Sequence, residues 1–338
     1  MKTSRHSGSQ VGFSERALFF SVYQGMEDRV MSIKHPPLVN QYLQAALSEN
    51  TRKAYRTDLK QFIQWGGRIP SSPQRVALYL AEHAEQLSFS TLRRRLVAIG
   101  KAHEARNLPS PTQVGIVKAT LHGILRLNGS KRRRVEPVLL NDVQKMVKGL
   151  RGMSGLRDKA LLLVGFSGAL RRCELVSIRV EDVSFVEKGM VIHLRRSKTD
   201  QVGKGRDIAV PFLRGNYCPV KALRSWIEFS GIRSGAVFRR VDRYGNLLGK
   251  ALSSQSVALI IKQRAESIGM NATLYSGHSL RAGLVTSAAK SGVSAWKICQ
   301  QTGHKSESVM YGYIRDSDLF NNHPLKRIRE STRHYLSQ

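Results

Sequence analysis

Across residues 48–65 the apolar positions Tyr55, Leu59 and Phe62 recur at helical spacing, behind a Ser48 or Asn50 cap, which predicts a helix there. The same period returns at Leu92, Leu96 and Ile99, and again at Val114, Val117, Leu121 and Ile124. Pro70, Pro73, Pro109 and Pro111 separate these stripes, so residues 38–128 are expected to form a compact all-helical domain of four or five helices. Ahead of it, residues 1–37 mix Ser, Gly, Lys and Arg around one apolar patch and close on Pro36-Pro37, the pattern of a flexible arm.

The pattern changes after residue 128. A Gly-Ser break, the four cations Lys131, Arg132, Arg133 and Arg134, and Pro137 predict an exposed basic linker over 129–137. Beyond it, Val143, Met146, Val147 and Leu150 predict an amphipathic helix, and residues 160–166 a buried one. Short β-branched runs at 183–186, 190–194 and 207–210, divided by a Glu-Lys-Gly turn and a polar Gly-rich loop, predict a small antiparallel sheet. Helices are expected again at 219–229, 254–268, 279–291, 294–301 and 306–314. The second domain is thus read as 138–315, mixed α+β, with a tail at 316–338. The fold class is mainly α with a small antiparallel sheet.

Composition agrees with a globular chain long enough for two domains: 338 residues, 41% hydrophobic and 23% charged. Charge alters the picture. Lys and Arg number 55 against 24 Asp and Glu, a formal net charge of +31, which points to a polyanionic partner, with nucleic acid foremost. Three dispersed cysteines, Cys173, Cys218 and Cys299, suggest neither a disulfide framework nor a cysteine zinc site. No apolar run reaches the length of a membrane span, so the chain reads as cytoplasmic, and nucleoid-associated if bacterial. The predicted helix around residues 91–105 carries Arg93, Arg94 and Arg95, which with 254–268 are candidates for DNA contact.

Four segments of the second domain carry groups suited to phosphodiester chemistry, which needs fixed cations, a nucleophile and an acid for the leaving oxygen. In Gly168-Ala-Leu-Arg-Arg-Cys-Glu-Leu175, a turn glycine precedes a helix start; Arg171 can clamp phosphate and Glu174 can orient it, although a surface Arg–Glu pair has the same letters. In Arg195-Arg-Ser-Lys-Thr-Asp-Gln-Val-Gly-Lys-Gly-Arg206, Lys198 falls near a hairpin tip, where an ammonium can act as general acid. Arg195, Arg196, Lys204 and Arg206 read as phosphate contacts of a basic hairpin. Ser276-Gly-His-Ser-Leu-Arg-Ala-Gly283 sets His278 and Arg281 one helical turn apart. Thr302-Gly-His starts the fourth segment, with His304 on a turn before a short helix that presents Tyr311 and Tyr313.

In order, Arg171, Lys198, His278-x-x-Arg281, His304 and, nine residues on, Tyr313 make the chain resemble the tyrosine recombinase (phage integrase) family, in the simple Cre- or Xer-like layout. The resemblance covers residues 38–320. It implies an all-helical N-terminal core-binding domain and a tyrosine recombinase catalytic domain. It further implies that Tyr313 attacks the scissile phosphate to form a 3′-phosphotyrosyl link, that Arg171, Arg281 and His304 hold the non-bridging oxygens, and that Lys198 protonates the 5′ leaving oxygen. His278 would assist proton movement at the tyrosine, with Glu174 supporting the site from behind.

The implied partners are a double-stranded DNA recombination site and a homotetramer formed on DNA from free monomers, with an accessory DNA-bending or regulatory protein as a further partner and no membrane. No metal or other cofactor is implied, in keeping with the missing nucleotide-loop signature. The biological settings left open include integration, dimer resolution, cassette capture and transposition by mobile elements. A type IB topoisomerase, a telomere-resolving enzyme and a non-catalytic DNA-binding protein are the competing readings.

Overall fold

The computed structural model describes residues 36, 38, 41, 42, 45–129, 135–195 and 205–304. The chain divides into two compact units, with the division between residues 133 and 134.

The first unit consists of α1 (Glu49–Gln64), α2 (Pro73–Glu82), α3 (Phe89–Glu104), a 3-10 turn at Pro111–Gln113 and α4 (Gly115–Asn128). Three of these helices start alike. Ser48, Ser72 and Ser88 sit in extended backbone just ahead of α1, α2 and α3, and each hydroxyl accepts from the amide N–H three residues on. Each such cap contributes about 1 kcal/mol. Behind the caps, Leu59, Phe62, Val76, Tyr79, Leu80, Leu92 and Ile99 form the core, with α1 against α3 and α2 against α4. The helical stripes read from the sequence are therefore largely the buried faces, with Tyr55 and Leu121 at their half-buried margins, but Val114 is exposed and stands at the N-cap of α4 rather than joining its stripe.

The second unit is built around α6 (Gly152–Ser167), whose residues 160–166 are all buried. Helices α5 (Leu140–Val147), α8 (Pro219–Ser230) and α10 (Ser279–Lys290) pack on it. A stretch apolar on every side must be enclosed on every side, and residues 160–166 are. The remaining elements are α7 (Arg172–Ser177), β1 (Val183–Val186), β2 (Gly189–Leu194), β3 (Arg206–Pro211), β4 (Arg239–Val241), β5 (Leu247–Ala251), α9 (Ser254–Glu266) and α11 (Ala295–Thr302).

The three predicted strands form an antiparallel sheet in the order β1-β2-β3, with Val183 opposite Ile192 and Leu194 opposite Arg206. Ile192, Leu194, Ile208 and Val210 point into the core. The hairpin β4-β5 is a second small sheet that the sequence did not reveal, because Arg239-Arg240-Val241 carries no alternation of apolar and polar positions. The predicted arm over 1–37 lies outside the described residues except for Pro36; four of the linker cations, the helix at 306–314 and the tail at 316–338 lie wholly outside them. Among the described residues no helix is long and apolar enough to cross a membrane.

Candidate active site

The turn from α6 into α7 makes the first wall of the site. Ala169 is buried and adopts φ 48, a left-handed backbone that a side chain normally avoids, held here by its surroundings. Its carbonyl accepts from Nη1 of Arg281 at 2.7 Å. Two residues on, Arg171 takes the N-cap position of α7 in extended backbone. Its amide N–H donates to Glu174 Oε2 at 2.9 Å, and its Nη1 donates to Oε1 at 2.5 Å. Glu174, only 2% exposed, thus caps the helix start and orients the guanidinium with one carboxylate. Arg172, its neighbour, is exposed and lays its stem against Gly277.

Helix α10 supplies the second wall. His278 is its N-cap and Arg281 lies in its first turn, 1% exposed. Gly283 is demanded by a close approach: a Cβ there would fall 1.8 Å from the carbonyl oxygen of Val138, whose amide donates to the Ser279 carbonyl at 3.0 Å.

The third wall is the end of α11. Gly303, with φ 68, terminates the helix and turns the chain so that His304 faces Arg281, with Nε2 3.0 Å from Nη2. Nδ1 of His304 is 2.8 Å from Oγ1 of Thr302, whose hydroxyl donates to the Ile298 carbonyl at 2.8 Å. An arginine can only donate, so Nε2 accepts and the ring carries its proton on Nδ1, donating to Thr302. The electrostatics agree. Burial, followed by the charges of Arg281 and Arg171 and smaller effects of His278 and Arg206, pushes the His304 imidazole down to about 4. Burial, then Arg281 and Arg171, also lowers His278. Both rings are neutral near pH 7 and stand beside fixed guanidiniums.

The structure therefore brings together Arg171, Glu174, His278, Arg281 and His304. Lys198, Arg196, Lys204, Tyr311, Tyr313 and Lys131 to Arg134 lie outside the described residues. Arg206 differs from its expected surface role. It is largely buried within the same cluster, its Nη1 donating to the Gln301 carbonyl at 2.8 Å and its Nη2 3.7 Å from Glu174 Oε2.

Other candidate contacts have internal tasks as well. Arg94 makes a two-pronged bond to buried Asp58, at 2.7 and 3.0 Å, and Arg95 donates to the Tyr79 hydroxyl at 2.6 Å. Arg195 is tied to buried Asp182 at 2.6 Å. Arg93 is exposed. Sequence reasoning missed Ala169, Gln301 and Thr302, which act through backbone carbonyls and a hydroxyl; only Thr302, adjoining Gly303-His304, had a sequence cue.

Three guanidiniums against one carboxylate leave this cluster with excess positive charge. It is suited to an anion bearing several oxygens rather than to a cation. Among the described residues no group of three or more His, Cys, Asp or Glu could hold a metal ion.

A helical unit, a second unit of helices around a small sheet, and an Arg, His-x-x-Arg and His cluster over a buried glutamate together define the tyrosine recombinase class of site-specific recombinases. Residues 138–319 match the phage integrase family and residues 40–105 its N-terminal SAM-like domain, and the chain belongs to that family. It is 35% identical over 323 residues to the integrase/recombinase xerD homolog of Selenomonas ruminantium, covering 90% of this chain and 95% of that one. It is 26% identical over 299 residues to recombinase cre of Escherichia phage P1, covering 81% and 86%. Among solved structures, a lambda integrase tetramer bound to a Holliday junction has the same fold, with TM-score 0.60 at 14% identity over 90% of this chain and 80% of that one.

Proposed function

We propose that this chain cleaves and rejoins double-stranded DNA at a specific site through a 3′-phosphotyrosyl intermediate, without metal or ATP, as a tetramer on two duplexes. The observation that carries the reading is the meeting of Arg281 and His304, at 3.0 Å, beside Arg171 held by Glu174. Such a site offers N–H donors from fixed positions to the non-bridging oxygens, whose charge grows in the transition state.

Tyr313 supplies the nucleophile. Its oxygen attacks phosphorus as the bond to the 5′ oxygen breaks; the phenol proton leaves toward His278, and Lys198 gives a proton to the departing 5′ oxygen. An unperturbed phenol has a pKa of about 10, so nearby cations must stabilise the forming phenolate. The phosphodiester energy is kept in the new link, and a 5′ hydroxyl from the second duplex reverses the step. Residues 38–128 and 138–315 would grip the duplex as core-binding and catalytic domains joined by the basic linker. The tail at 316–338 would pack on its own or a neighbouring protomer.

The test is trapping. The protein is incubated with fragmented DNA from its source in EDTA, denatured, and the adduct mapped by mass spectrometry. A phosphotyrosyl adduct on Tyr313 at one DNA sequence is expected. Tight binding without any adduct, or cleavage that requires a divalent ion, would overturn the mechanism.

A further inference from the structure

Arg206 opens β3 opposite Leu194, where the connection containing Lys198 rejoins the sheet. Its guanidinium lies beneath the turn that leads into His304. Besides the bond to Gln301, its Nε and Nη2 are shielded from solvent and have no hydrogen-bond partner among the described residues. Burial lowers its pKa, against the support of Glu174. A neutral side chain could brace a strand with less desolvation, so a charge kept here calls for a reason beyond packing.

The contacts around it supply one. Gln301 completes a reciprocal clamp: its carbonyl accepts from Arg206, while its Nε2 donates to the carbonyls of Ser167 and Ala209 at 3.0 and 3.2 Å. The last turn of α11 is thereby fastened to β3 and to the end of α6. Gly303 then lies against the guanidinium, since a Cβ there would stand 3.0 Å from Arg206 Cζ. On its other side the guanidinium faces Glu174, the carboxylate that orients Arg171.

We infer that Arg206 is a positioning residue for the phosphate site, setting His304 against Arg281 through Gln301 and Gly303 and sharing Glu174 with Arg171. It joins the strand leading out of the Lys198 connection to the turn leading into His304. Only a planar fork with several donors can reach both partners from one position, so lysine is not an equivalent.

The test uses the full chain with Arg206→Met and Arg206→Lys. The first readout needs no DNA: ring NMR follows the titration of His304, assigned with His304→Gln. His304 titrates at about 4 in the parent, with Arg206 among the charges that hold it there. Arg206→Met should raise it, through the lost charge and through any displacement of the ring from Arg281, whereas Arg206→Lys, which keeps the charge but not the planar fork, should raise it less and through displacement alone.

The second readout rests on the recombinase reading. It is single-turnover adduct formation on the duplex recovered from the wild-type adduct. Both variants should slow it by about tenfold to a hundredfold, with half-saturating DNA concentration little changed. Loss of the Arg206 charge by itself raises the His304 titration in Arg206→Met, so the charge-keeping Arg206→Lys discriminates: a merely structural brace would lower thermal stability and leave the Arg206→Lys titration and the rate of the folded fraction unmoved, which would overturn the inference. If Arg206→Met fails to fold, an unchanged rate in Arg206→Lys overturns it alone. A wild-type chain that forms no adduct counts against the recombinase reading, and the titration in Arg206→Lys then decides the role of Arg206.

Discussion

Nη2 of Arg281 lies 3.0 Å from Nε2 of His304, while Nη1 of the same guanidinium donates to the carbonyl of Ala169 at 2.7 Å. One buried side chain thus ties the turn before Arg171 to the ring that closes the site. Arg281→Lys keeps the charge but has a single nitrogen to divide between two partners that lie on different walls. It is expected to lower the rate of covalent adduct formation by about a hundredfold or more, with DNA affinity little changed. Single-turnover trapping beside a filter-binding isotherm measures both.

Acid should weaken the second unit through His304. The folded ring is held at about 4, below its ordinary 6.5, so the unfolded chain binds the proton more readily. The contribution is present above pH 6.5 and is lost as pH falls through the window down to about 4. His278, lowered for related reasons, adds in the same direction. The groups facing His304 are Arg281, Arg171, His278, Arg206 and Thr302. Urea midpoints at pH 7.5 and 4.5 should fall further in the parent than in His304→Gln.

The chemistry proposed for Tyr313 and Lys198 separates by substrate. Tyr313→Phe should abolish the adduct and leave DNA binding nearly intact, whereas Tyr311→Phe should still form it. Lys198→Ala should slow cleavage of an ordinary phosphodiester but spare a duplex whose 5′ leaving atom is sulfur, because a thiolate needs little protonation. Gel analysis of adduct yield on the two duplexes reads both effects, and equal damage on both removes the acid role.

In the first unit Arg94→Ala should cost more than its surface position suggests. Asp58 is 2% exposed and would lose both bonds to Arg94, keeping among the described residues a 3.8 Å pairing with Arg95. A buried carboxylate deprived of its main partner costs about 3 kcal/mol, whereas Arg93→Ala should stay within about 0.5 kcal/mol. Hydrogen exchange across α1 and α3 would show the difference.

Gly283→Ala should unfold the second unit at lower urea, by about 3 kcal/mol or more, because the added carbon would overlap the Val138 carbonyl at the base of α10. Fluorescence of buried Trp226, which donates to the Val237 carbonyl at 2.9 Å, follows that unit.

Much of the fold was legible in the chain because each signal was local. The three strands at 183–186, 190–194 and 207–210 appear within a residue or so of the expected ends, since β-branched runs between turn residues have few other uses. The buried helix at 160–166 proved central to the second unit, as its uniform apolarity requires. Its amphipathic neighbour stops at Val147, short of Leu150. The basic hairpin β4-β5 escaped although its pairing is local, because its strands are short and carry no alternation of apolar and polar positions.

By itself the sequence determined which residue types could meet an anion: Arg171 with Glu174 three residues on, His278-x-x-Arg281, and His304 after a glycine. Periods and caps also determined where the helices and the three-stranded sheet would form. Tertiary structure alone decided how those groups are spent. It turned Arg94, Arg95 and Arg195 toward partners in their own fold, drew Arg206 partly out of solvent beside Glu174, and aimed the Ala169 carbonyl at Arg281. The reason is physical. Spacing along a chain sets which face of a helix or strand a side chain occupies, but burial, desolvation and a carbonyl's direction arise only when separate elements pack against one another, as where Arg281 meets the Ala169 carbonyl 112 residues away.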